Sequence, residues 1–114
     1  MNDEHFNKLY NFGKEWINNN SKISANNISD FTINLMKFIQ TIVKNKNKGE
    51  YKKELVLKVL KKFINEIEWG NNNQKSNIDF LFEFIIPNLI DNIIYIAKGN
   101  IDLGKMKNIG CCFK

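Results

Sequence analysis

The sequence predicts an all-α protein: a compact four-helix domain over residues 1–99, followed by a short basic tail over 100–114. Three observations carry this. Apolar residues recur at intervals of three and four in four separate stretches, which lines them along one side of a helix. Asparagine- and glycine-containing breaks separate those stretches. The lone proline, Pro87, leaves most of the chain free to be helical. With 114 residues the chain has room for one core, and a hydrophobic fraction of 43% argues against disorder of the whole.

The first helix is predicted from about Asp3 to Ile17, with Phe6, Leu9, Tyr10, Gly13, Trp16 and Ile17 on one face and the Asn18–Asn20 run as its end. The second carries Ile28, Phe31, Leu35, Ile39, Ile42 and Val43. Ser29 or Asn27 is its expected N-cap, accepting from an exposed amide of the first turn. The polar stretch Lys44 to Gly49 closes it. The third is predicted from Glu50 to Trp69, with Val56, Val59, Leu60, Phe63, Ile64 and Ile67 inward and Gly70 as the stop. A capping box at Ser76-Asn77-Ile78-Asp79 is expected to start the fourth, which ends at Lys98-Gly99. Ile78, Leu81, Phe82, Ile85, Ile86, Leu89, Ile93 and Ile96 form its apolar arc; Phe80, Phe84, Ile90, Ile94 and Tyr95 fall outside. A helix apolar nearly all round is either central in its bundle or covered by a partner. Pro87, well inside this helix, predicts a kink or a break. Residues 100–114 show no sustained period and read as a docked or mobile tail.

Composition narrows the function classes. All 17 basic residues are lysine, and Asn, Ile, Lys and Phe are heavily used, the signature of an AT-rich genome. The net charge of +5 favours anionic partners modestly. The lack of arginine counts against recognition built on bidentate guanidinium contacts. No signal peptide is expected behind the polar start Met1-Asn2-Asp3-Glu4-His5. Ile78 to Ala97 has the length of a membrane span but contains Asp79, Glu83 and Asp91. Each such charge costs about 2.5–3.5 kcal/mol near the bilayer centre, so no transmembrane segment is predicted. With two cysteines, both near the end, the expectation is an intracellular, cytoplasmic protein in a reducing compartment.

The catalytic inventory is poor. His5 is the only histidine and is expected to be an exposed residue near a fraying end. Glu83 and Asp91 share a face two turns apart, with nothing to make them an acid–base pair. No phosphate loop, nucleophile elbow or zinc-protease motif appears, so the chain is not predicted to be an enzyme. It implies no cofactor and no small-molecule substrate. Cys111, Cys112 and His5 do not make a structural zinc set, and no metal site is predicted.

Three binding surfaces remain. Phe80, Phe84, Ile94 and Tyr95 are a candidate interface for a protein partner or a homodimer, ordinary core packing being the alternative. Lys44, Lys46, Lys48, Lys52, Lys53, Lys58, Lys61 and Lys62 are a candidate patch for weak, non-specific, salt-sensitive anion or nucleic-acid binding, against a merely solvated face. Cys111 and Cys112, near Lys105 and Lys107, have the two-signal logic of S-acylation at an anionic membrane, against incidental thiols; the final lysine departs from a prenylation box.

The run Gly49 to Leu60, with Ile85-Ile86-Pro87-Asn88-Leu89-Ile90-Asp91-Asn92-Ile93-Ile94 and Ala97-Lys98-Gly99, resembles small helical proteins of large DNA viruses infecting protists. The lysine-rich tail with its cysteine pair fits the same group. The resemblance implies a viral source and brings no activity or functional residues with it. The leading expectation is a non-enzymatic interaction protein acting through a helix surface.

Overall fold

The computed structural model describes residues 3–20, 22–44, 48–67, 69–70 and 72–99. Helices form along the four stretches: α1 (Asp3–Asn19), α2 (Ile28–Ile42), α3 (Gly49–Glu66), and a last helix built from α4 (Asn72–Phe80), a π-helical segment (Leu81–Ile85) and α5 (Ile86–Gly99). There is no strand among the described residues. The fold is all-α, as the spacing predicts.

Spacing sets which face each helix buries. In α2 the buried residues are Ile28, Phe31, Thr32, Leu35, Met36 and Ile39. Thr32 is tolerated there because its hydroxyl donates to Ile28 O at 2.8 Å. In α3, Leu55, Val56, Val59, Leu60, Phe63 and Ile64 face inward. Helices α2 and α3 lie between α1 and α5, each packing on both. The last helix is therefore not the centre of the bundle, which was one of the two expectations for it.

Aromatic rings join α1 to this pair. Phe31, fully buried, has Trp16 at 4.9 Å and Phe63 at 5.6 Å between ring centroids. Gly13 makes that approach possible: a Cβ there would lie 2.7 Å from Phe63 Cε2 and 3.1 Å from Phe31 Cζ. Phe12 stacks on Phe38 at 4.4 Å, tying α1 to α2 on another side.

The helix ends differ from expectation where side chains find other partners. Asn27 takes the N-cap position of α2 without capping it. Its Oδ1 instead accepts from Ser24 N at 2.8 Å and its Nδ2 donates to Lys22 O at 3.0 Å, so it organises the loop behind it. Helix α3 stops at Glu66, three residues short of the predicted end, because Ile67 turns extended at φ −81°, ψ 135°. Trp69 then folds back and donates from Nε1 to Ile64 O at 3.2 Å, satisfying a carbonyl of the last turn. The fourth helix begins at Asn72, a turn before the predicted Ser76 cap.

The expected kink at Pro87 is replaced by a wider turn. Ile86 N–H donates to Leu81 O, five residues back instead of four. That turn lies directly before Pro87, which has no N–H for Glu83 and whose ring would press on that carbonyl in a regular helix. The surplus residue moves the inward face on by about one position. Ile86, Ile90 and Ile93 are fully buried, whereas Ile85, predicted inside, is 43% exposed. Ile90, predicted outside the arc, is correspondingly a core residue.

Candidate functional site

The wide turn also sets what the last helix shows to solvent. An α-helix advances about 100° per residue, so side chains four apart drift by about 40°. A π turn takes more residues to close, which reduces that drift. Phe80, Phe84 and Asn88, spaced by fours across Leu81–Ile85, accordingly share one outer line, and Tyr95 continues it. Phe80 is 57%, Phe84 61% and Tyr95 75% exposed. The Phe80 and Phe84 rings touch at 5.1 Å. Ile94, grouped with them on the sequence, is half-buried and packs on the core instead. Ile85 takes its place beside Phe84, and only the proline could have signalled that shift from sequence.

The middle of this line carries two exposed amides, Asn88 and Asn92. The acid beside them, Asp91, is held by Lys53 of α3, with Nζ 2.9 Å from Oδ1 and 3.1 Å from Oδ2. That pair is drawn toward the α3–α5 seam and away from the aromatic line.

The lysines do not assemble as predicted. Lys52 is buried at 2% exposure, its Nζ donating to Gln40 Oε1 at 2.5 Å. It is part of the α2–α3 packing and cannot be part of an anion-binding surface. The reason is position: Lys52 stands one turn before Val56 on the inner side of α3, and its long stem follows the apolar face to a polar end group. Lys53 is tied to Asp91, and Lys62 pairs with Glu66 at 3.4 Å while lying 5.2 Å from the Tyr10 ring centroid. Lys61 lies 5.4 Å from the centroid of Phe82. Lys44, Lys48 and Lys58 are exposed. Lys46, Cys111 and Cys112 lie outside the described residues, and with them the acylation site.

His5 is not the loose surface residue expected. It is half-buried, with Nδ1 2.8 Å from Tyr51 Oη and the two rings edge to face at 5.8 Å. It serves the α1–α3 contact. Toward the other end of α3, Tyr10, stacked on Phe63 at 4.7 Å, donates its hydroxyl to Glu66 at 2.7 and 3.0 Å. The hydrogen bond from Tyr10, with help from Lys62, holds the Glu66 carboxyl below the usual range. The same bond, with burial and the nearby negative charge, raises the Tyr10 phenol. The Glu66 contribution to stability is present above roughly pH 4.3 and is lost as the pH falls through its lowered folded value. The Tyr10 contribution is present below roughly pH 10 and is lost as the pH rises through its raised folded value. The stability difference between the native chain and Tyr10→Phe should accordingly be level near neutrality and shrink on both limbs. Denaturant melts across pH would show this; a difference that ignores pH would remove the bond from the account.

A recess of about 300 Å³ lies where the α1–α2 loop meets the start of α4, lined by Lys22, Ile23, Trp69, Gln74, Asn77 and Ile78 among others. The Lys22 ammonium occupies the Trp69 face at 5.6 Å. No group of three or more metal-ligating side chains occurs among the described residues. No helix among them is long and apolar enough to cross a membrane. Comparison with protein-family models, curated proteins and solved structures finds no match to this chain.

Proposed function

We propose that this chain is a non-enzymatic interaction protein, working inside the cell, that joins a protein partner or another copy of itself through the outer face of its last helix. The observation that supports this is the line Phe80, Phe84 and Tyr95, three large aromatics left largely exposed by a fold that buries its other apolar faces. Aromatics are enriched and charges depleted at the centres of protein interfaces. Elsewhere among the described residues, lysines point outward or serve in packing and ion pairs. A virus of protists is the source we propose, supported by the AT-rich composition and the resemblance carried by Gly49 to Leu60, Ile85 to Ile94 and Ala97 to Gly99.

The test is photocrosslinking in the cells that make the protein. A photoreactive phenylalanine analogue replaces Phe84, with a control at Asn11, exposed on α1. Adducts from position 84 above the level at 11 are expected, at the mass of two copies or of one copy plus a partner. Equal, background-level labelling at both positions would overturn the reading.

A further inference from the structure

We infer that the partner on this face is a second copy of the chain, docked antiparallel with Asn88 near the two-fold axis; this rests on the reading just given. Three features of the face lead there. The first is charge. No lysine occurs between Lys75 and Lys98, in a chain of net charge +5. Two copies meeting elsewhere would bring lysines together; here they meet on their least basic surface, where Asp79 and Asp91 are paired with Lys75 and Lys53 and Glu83 is exposed between Phe80 and Phe84. The same absence of cations makes this the surface least suited to a nucleic acid.

The second feature is spacing. A two-fold contact must be complementary to itself, residue i meeting j and j meeting i. Phe80 and Tyr95 stand at opposite ends of the exposed line, almost equally far in sequence from Asn88. Turning one helix end for end puts Phe80 against the other copy's Tyr95 and Phe84 beside its Asn92. Large rings then meet at both ends, and the two Asn88 amides, each carrying donors and an acceptor, can pair across the axis. In the single chain Asn88 Nδ2 donates to Phe84 O at 3.3 Å, a long bond on an exposed side chain that pairing across the axis can replace. A parallel arrangement would also match ring to ring, but it sets the two α5 dipoles side by side, head to head, which the antiparallel one avoids.

The third feature is size. The line spans about 22 Å of helix at 1.5 Å per residue, so the contact falls below the roughly 1,200 Å² of total buried surface at which standard interfaces begin. The dimer is thus a reversible one that dissociates on dilution.

The experiment uses the purified chain with Cys111→Ser and Cys112→Ser to remove competing thiols. Light scattering should show the apparent mass rising from 13.4 kDa toward twice that value with concentration. Phe84→Glu should weaken association about tenfold or more while circular dichroism and melting stay native. Geometry is read by oxidative crosslinking. Asn88→Cys alone should link to itself, and a mixture of Phe80→Cys and Tyr95→Cys chains should link to each other. Self-linking of Phe80→Cys without the mixed product would overturn the antiparallel arrangement. A mass fixed at 13.4 kDa throughout would overturn self-association. If position 84 still crosslinks to a different protein in cells, the interaction reading survives; if it crosslinks to nothing, both fall.

Discussion

Replacing Phe31 by alanine is expected to remove about 3–5 kcal/mol of stability, the usual cost of deleting a fully buried phenylalanine. The upper part of that range applies. Phe31 is fully buried, and its ring fills the space between Trp16 and Phe63, where α1, α2 and α3 meet. Neither neighbour can close the gap cheaply, because Phe63 is also held by Tyr10 at 4.7 Å. A small domain has about 5–15 kcal/mol in total, so the variant should lie close to its unfolding limit. Denaturant midpoints measure the loss. Phe31→Leu, which keeps most of the volume, should recover more than half of it. A loss below about 1 kcal/mol for Phe31→Ala would mean that this ring cluster is not the centre of the fold.

The second large effect is expected at Gln40. Its amide oxygen receives the buried Lys52 ammonium at 2.5 Å. Hydrogen bonds to charged groups are worth about 1.5–3 kcal/mol, and Gln40→Leu removes one such bond from the buried Lys52 ammonium. Gln40→Leu should therefore destabilise by about that amount. Replacing both partners with apolar groups of similar shape is often close to neutral, so the pair Gln40→Leu and Lys52→Met should recover most of the loss. The non-additivity is the diagnostic. If the two single losses simply add, Lys52 draws its support from elsewhere and Gln40 is incidental.

These two sites show what was legible in the sequence. Phe31 was readable: it falls in step with Ile28, Leu35 and Ile39, and a period of three and four is enough to assign a face. Lys52 was not. Its charge placed it with neighbouring lysines, and nothing local distinguishes a lysine whose stem runs under Gln40 from one in water. That distinction is made by α2, twelve residues earlier in the chain, and so belongs to packing. The candidate interface was legible in Phe80, Phe84 and Tyr95, whose positions escape the apolar arc. Ile85 and Ile90 exchange roles because apolar spacing implies a constant turn, and the turn widens before Pro87. The end of α3 differs for another reason. Trp69 satisfies a carbonyl of α3 from beyond its end, a contact that no capping pattern announces.

The π-helical segment Leu81–Ile85 has a consequence for how this gene can change. A wide turn is how a helix accommodates one residue too many without shifting either flank. Loss of a single codon within it should replace the wide turn by a regular one kinked at Pro87, while Ile78 and Ile90 stay in register. The same loss in α3 has no slack to draw on and would swing Leu60, Phe63 and Ile64 out of the interior. Among the described helices, the last one thus offers a stretch where the chain can shed a residue and keep its core; the cost would fall instead on the outward alignment of Phe80, Phe84 and Tyr95.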